Sequence, residues 1–232
     1  YGIDRSIYGN NASLMNGSVV NYTNFKFGEA MQFDGVNDYV EVSDNTFLDA
    51  KQVTLEAWVR PLREGSGESG EIVGKQNGTT TNFAYQLFLN SPTTSYAFRI
   101  TTGTGAGTVK ELGGIKAPIF GEWQHVAGTY DGSTARIYID GVQTNTAAAS
   151  GDLVNTAQSL VIGGRPLATG SFYNGTIDEV ALWNISLTPD KIAEHAGAKI
   201  IDYSQYGNNG TRFSNTSSDF GRNFTDGKFS KA

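Results

Sequence analysis

Cysteine is absent from the 232-residue chain, which removes disulfides, thiolate chemistry and every cysteine-based metal site at once. That absence assigns no compartment, because many secreted proteins also lack cysteine. Histidine is scarce: His125 and His195 are the two present, and no His-Glu-x-x-His or Gly-x-Ser-x-Gly string occurs. Metalloprotease and serine-hydrolase chemistry therefore lack parts. No apolar run approaches the roughly 20 residues of a membrane-crossing helix, so no span is expected in this chain. Charge is sparse, with 17 Lys and Arg against 23 Asp and Glu, a net −6. No basic cluster offers phosphates a landing site, which argues against nucleic acid as a partner. The Gly-rich stretch Gly103–Gly107 lacks the Lys-Ser/Thr of a phosphate loop and reads as a turn. The chain opens at Tyr1 without a signal-peptide pattern, so the expectation is a mature product or an excised piece.

What the chain does have is alternation. Aromatic content of 12% excludes disorder, and 232 residues suit one large all-β unit. Period-two runs bounded by Gly, Asn and Asp occur at 31–33, 39–42, 53–59, 71–75, 85–89, 96–102, 123–130, 135–139, 160–163 and 176–183, which predicts about ten antiparallel strands. Asp131-Gly132 and Asp140-Gly141 read as hairpin turns, since Asp-Gly readily adopts positive φ. The single helix signal is Thr188-Pro-Asp-Lys-Ile-Ala-Glu-His-Ala, with Thr188 as N-cap and Pro189 at the first helical position.

An internal repeat divides the chain. Ile3-Asp-Arg-Ser-Ile-Tyr-Gly-Asn-Asn-Ala12 returns as Ile201-Asp-Tyr-Ser-Gln-Tyr-Gly-Asn-Asn-Gly210, identical at seven of ten positions, and Lys26-Phe-Gly-Glu-Ala30 returns as Lys228-Phe-Ser-Lys-Ala232. Residues 1–198 thus read as one domain and 199–232 as the opening of a following copy. A strand or two cannot bury a core alone. The tail is therefore expected to add to a sandwich edge, most readily in a neighbouring copy, linking copies head to tail. Asn-x-Ser/Thr triplets begin at Asn11, Asn16, Asn21, Asn77, Asn174, Asn184, Asn209, Asn215 and Asn223, nine of 18 Asn, where chance gives roughly three. The excess points to a glycoprotein outside the cell or on its surface.

Five blocks carry a resemblance: Phe33-Asp-Gly-Val-Asn-Asp-Tyr-Val-Glu-Val42, Val53-Thr-Leu-Glu-Ala-Trp-Val-Arg-Pro61, Gly121-Glu-Trp-Gln-His-Val-Ala-Gly-Thr-Tyr-Asp-Gly132, Ile137-Tyr-Ile-Asp-Gly141 and Gly175-Thr-Ile-Asp-Glu-Val-Ala-Leu-Trp-Asn184. In this order they resemble the laminin G-like, concanavalin A-like domains of microbial surface proteins. The resemblance implies a jelly-roll β-sandwich of two antiparallel sheets, with the short helix near the C-terminus, acting as an adhesion, carbohydrate-binding or spacer module. It also implies one structural Ca²⁺, held by Asp178 with Asp34, Gly35, Asn37 and Asp38. Local turn chemistry explains Asp34 and Asp38 equally well.

Catalysis is not expected. Glycoside hydrolases on this sandwich need two carboxylates facing each other, as in Glu-x-Asp-x-Glu, and no such string occurs. Adjacent Asp178 and Glu179 should point to opposite faces of a strand. Strand phase does suggest a glycan surface. If Val53, Leu55, Ala57 and Val59 face inward, then Glu56, Trp58 and Arg60 face outward; the same sorting turns Gln86, Arg99, His125, Arg136 and Tyr138 outward. Aromatic rings with planar polar groups are what sugar recognition uses. The competing role for Trp58 and Trp123 is packing beneath loops. The expected function is a non-catalytic, glycosylated extracellular repeat module for adhesion or assembly, the alternative being a calcium-dependent carbohydrate-binding module.

Overall fold

The computed structural model describes residues 10–16, 19–21, 25–62, 69–76, 83–90, 95–103, 107–165, 171–197, 199–200 and 210–211. The first strands are β1 (Ser13–Met15), β2 (Val19–Asn21), β3 (Ala30–Asp34), β4 (Tyr39–Val42) and β5 (Val53–Pro61). There follow β6 (Ser69–Gln76), β7 (Phe83–Asn90), β8 (Ser95–Thr102), β9 (Thr108–Gly113) and β10 (Gln124–Tyr130). Last come β11 (Thr134–Ile139), β12 (Val142–Ala148), β13 (Leu160–Ile162), β14 (Asn174–Trp183) and the helix α1 (Pro189–His195). They form two seven-stranded antiparallel sheets, ordered β1-β4-β13-β6-β7-β8-β9 and β12-β11-β10-β5-β14-β3-β2. No helix among the described residues is long and apolar enough to cross a membrane.

Each sheet turns one apolar face toward the other. Val53, Leu55, Ala57 and Val59 of β5 meet Tyr85, Leu87 and Leu89 of β7 and Tyr96, Phe98 and Ile100 of β8 in one core, every one of them 1% exposed or less. Contact between the sheets is close enough that Gly128 of β10 cannot carry a side chain: a Cβ there would lie 2.2 Å from the Phe98 ring. Several polar groups inside are paired with one another. Tyr96 donates to Gln124 Oε1 at 3.1 Å, and Lys75, wholly buried, bonds Asp44 and, at 2.9 Å, Asp49.

All ten strands expected from alternation are present. The four long-sheet strands that alternation missed, β1, β2, β9 and β12, are the four sheet edges. β12, for instance, reads Val-Gln-Thr-Asn-Thr-Ala-Ala and is largely exposed, because an edge strand that buries little needs no apolar stripe and avoids aggregation by lacking one. Asp140 (φ 52°) and Gly141 (φ 79°) make the expected β11–β12 turn. Thr188 caps α1 as expected, accepting from Lys191 N.

Of the tail, β15 (Lys199–Ile200) and β16 (Gly210–Thr211) pair with each other. The repeat's remaining residues, 201–209 and 212–232, lie outside the described residues, as do 1–9 in the first copy and residue 198 at the expected domain boundary.

Candidate functional site

The outer face of β5 sets the site. β5 lies between β10 and β14, and its register places His125 and Asp178 on either side of Trp58, and Ala127 and Ala181 on either side of Glu56. Two alanines beside a glutamate leave a hollow above it. Side chains from further along the chain reach into that hollow. Trp183 Nε1 donates to Glu56 Oε1 at 2.7 Å, and His195 Nδ1 stands 2.8 and 3.1 Å from the two carboxylate oxygens. His125 Nε2 lies 3.5 Å from Glu56 Oε2. His195 is delivered by α1, which is seated through Ile192 on Ala127 and Tyr138. Burial alone would raise the Glu56 carboxyl, but His125, His195 and the Trp183 donor together hold it below its ordinary value.

A bulge in β14 completes the wall. Three residues of β14 pass two of β5 between Asp178 and Ala181, and Glu179 takes φ 49°. Asp178, Glu179, Ala181 and Trp183 consequently all serve the outer side, which corrects the expectation that Asp178 and Glu179 face apart. The resulting pocket has a volume of about 260 Å³ and is lined by Phe27, Glu56, Trp58, His125, Glu179, Ala181, Trp183 and His195. Trp183 stacks on His195 with ring centres 5.8 Å apart.

The segment 25–29 closes one side. Asp178 Oδ2 accepts from the backbone N–H groups of Lys26 and Phe27, both at 2.8 Å, and Oδ1 accepts from Glu179 N. This tie lays Lys26 Nζ 4.0 Å above the Trp58 ring and brings Phe27 edge-on to it at 6.2 Å. Trp58 is 8% exposed in consequence, whereas Phe27 at 54% and Trp183 at 39% face solvent.

The eight residues expected to share one glycan surface do not. Glu56, Trp58 and His125 join in the pocket. Arg60 Nε donates to Gly121 O at 2.6 Å, Arg136 bonds Asp131, and Tyr138 lies beneath α1. Gln86 and Arg99 belong to the other sheet and face away on the opposite side of the sandwich. There Gln86 donates to Glu71 at 2.6 Å and Arg99 bonds Glu111 and Gln86, with its guanidinium 4.7 Å from the Phe88 ring. Glu71 is fully buried, and burial pushes its carboxyl up to about 7 against the pull of Arg165, Gln86, Arg99 and Gln76. Outside the β14 bulge, alternation sorted these residues correctly into faces but carried no information on sheet membership. Phe27, Lys26, Glu179, Trp183 and His195 escaped it because a bulge and two non-strand segments place them.

The calcium set does not assemble. Asp34 lies opposite Asn174 on β14, four residues from Asp178, or roughly 13 Å along a strand. Both Asp178 oxygens already accept backbone N–H groups. Asp34 Oδ1 accepts from Val36 N and Asn37 N, and Asp38 Oδ2 from Asp34 N, while Gly35 supplies φ 77°. These are the bonds of a self-contained turn, and the residues do not fit the implied ion. Among the described residues no group of three or more acidic or histidine side chains is placed to hold a metal. Of the glycosylation triplets, Asn11, Asn16 and Asn184 are exposed, with the Asn16 amide donating to Asn37 O. Asn174 is half-buried, its amide bonded to Asp34 O. The Asn21 side chain and Asn77, Asn209, Asn215 and Asn223 lie outside the described residues.

Two seven-stranded antiparallel sheets packed face to face, with a polar and aromatic hollow on one outer surface, define a lectin-type β-sandwich. The chain belongs to the concanavalin A-like lectin/glucanases superfamily, whose family model matches residues 34–193. Pappalysin-1 of Mus musculus is 24% identical over 178 residues, and that of Homo sapiens 22%; each match covers 70% of this chain and 11% of the relative. The chain thus corresponds to a small part of those proteins. Among solved structures, domain 4 of the extracellular GH43 arabinanase AbnA from Geobacillus stearothermophilus, in complex with arabinotriose, superposes with TM-score 0.64 at 18% identity, covering 80% of this chain and 88% of that one. A carbohydrate-binding protein from Bacteroides ovatus, so described provisionally, gives 0.58 at 18% identity, covering 71% and 46%. The binding domain of botulinum neurotoxin serotype G gives 0.64 at 12% identity, covering 87% and 50%.

Proposed function

We propose that this domain is a non-catalytic, extracellular carbohydrate-binding module that holds a sugar in the hollow over Glu56. The observation that carries this is the lining itself: exposed Trp183 and Phe27 offer ring surface, and His195 and Glu179 offer polar groups at its rim. Arabinotriose on a domain of the same fold supports the reading. Against catalysis, Glu56 is enclosed by Trp183, His195 and His125 and kept ionised, so it is poorly suited to donate a proton to a leaving group. A glycan array followed by calorimetry tests the proposal. Trp183→Ala should abolish binding by a variant that circular dichroism shows still folded, at some cost in melting temperature because the Glu56 bond is lost; full retention of binding would refute the site.

A second role, surface assembly of tandem copies, is favoured by the repeat of residues 3–12 at 201–210. Removing residues 199–232 and measuring particle size tests it, with smaller particles expected and unchanged particles counting against it.

A further inference from the structure

We propose that the hollow selects sugars bearing a free ammonium group, the ligand cation taking the aromatic surroundings that the Lys26 ammonium now samples. This deepens the glycan reading and rests on it. Three aromatic side chains, Phe27, Trp58 and Trp183, line one small pocket with His125, His195 and two glutamates; Glu56 is engaged by the histidines and Trp183, so Glu179 is the carboxylate at the rim. Rings attract cations through their negative faces, and a carboxylate at the rim adds a direct charge partner.

The chain itself supplies the demonstration. The Lys26 ammonium rests 4.0 Å from the Trp58 ring centre and 5.9 Å from that of Phe27. It is held there by the Asp178 tie on its own backbone, so the cation is aimed at the ring by the fold. A neutral sugar stacking on Trp58 would have to displace that cation and offer nothing in its place. An amino sugar replaces like with like. The volume, about 260 Å³, lies below the range of drug-sized sites and suits a single sugar residue.

The test compares chitosan-type glucosamine tetramer with its N-acetylated counterpart by calorimetry on the full chain, at fixed ionic strength because the net charge of −6 attracts any polycation. The amine form should bind about tenfold more tightly than the acetylated form. Lys26→Met removes the internal competitor that either form must displace and should tighten both about threefold, leaving the preference for the amine form in place. Glu179→Gln should weaken the amine form several-fold, whereas Glu122→Gln, an exposed carboxylate outside the pocket, should not. Equal or tighter binding of the acetylated tetramer, or an amine preference untouched by Glu179→Gln, overturns ammonium selection and leaves the glycan reading standing. If neither tetramer nor any arrayed glycan binds, the glycan reading falls. Choline chloride then separates the two: binding that tightens in Lys26→Met supports a cation site for a non-sugar ammonium, and no binding ends both.

Discussion

Glu71→Gln should stabilise this protein at alkaline pH and not at acidic pH. Glu71 is fully buried on the outer side of β6, opposite Phe88 in register, with Gln86 Nε2 at 2.6 Å and Arg165 Nε 3.7 Å from its carboxylate. Its carboxyl stands at about 7 in the folded chain against an ordinary 4.5. A folded value above the unfolded one means the folded state holds the proton more tightly. Below pH 4.5 both states are protonated and nothing is lost. From 4.5 upward the unfolded chain releases the proton first, and stability drains away until pH passes 7. At 1.36 kcal/mol per pH unit, the gap amounts to about 3 kcal/mol. Glutamine keeps the shape and the acceptor for Gln86 while removing the titration. The difference between variant and wild type should therefore move in the variant's favour by about 3 kcal/mol from pH 4.5 to 8, or roughly 6 to 12 °C in melting temperature for a domain of this size. Calorimetric or circular-dichroism melts at four pH values across that window measure it. A difference that stays flat with pH, or one that moves against the variant as pH rises, would show that Arg165 and Arg99 keep Glu71 ionised throughout.

Gly128→Ala drives a methyl into the Phe98 ring and should cost about 2 to 3 kcal/mol in urea denaturation, with Phe98→Leu recovering part of the loss in the double variant. Lys75→Met strands Asp44 and Asp49, which are 35% and 21% exposed and so partly solvated; a loss of about 2 kcal/mol is expected, and no loss would mean the ion pair is dispensable. Asp178→Ala removes two 2.8 Å acceptor contacts to the backbone of Lys26 and Phe27, which should cost about 2 kcal/mol, speed tryptic cleavage after Lys26 and shift tryptophan emission to the red. Unchanged cleavage would mean that segment is held by other contacts.

How far the sequence spoke can be judged from particular strands. β5 declared itself fully, because apolar Val53, Leu55, Ala57 and Val59 on the core face alternate with Thr54, Glu56, Trp58 and Arg60 on the other, even though that second face is itself largely covered. β12 was silent for the opposite reason, since an edge strand with exposed Gln143 is constrained by the backbone ladder alone. Glu56, Trp58 and His125 were found together since they sit on adjacent ladder positions of strands with unbroken phase. Gln86 and Arg99 were misassigned to the same surface, because alternation gives a face and never says which sheet the face belongs to. Trp183 needed the one-residue bulge at Glu179, and Lys26 needed a bond to Asp178 spanning 152 positions; neither leaves a local mark.

The place of β14 has a consequence for how the molecule is made. In its sheet β3 and β2 are joined to the rest through β14 alone, and in the other sheet β1 and β4 reach their neighbours through β13. The N-terminal strand pairs β2–β3 and β1–β4 are thus synthesised first and joined to their sheets last. Asp34 leaves the ribosome 140 residues ahead of the Asn174 it meets, an interval of roughly 7 to 28 seconds at ordinary elongation rates. During that time β3 has β2 alone to pair with, and early termination before residue 174 would leave its other edge open permanently. The pocket, whose Asp178 tie and Trp183 wall both lie on β14, comes into being only as the domain closes.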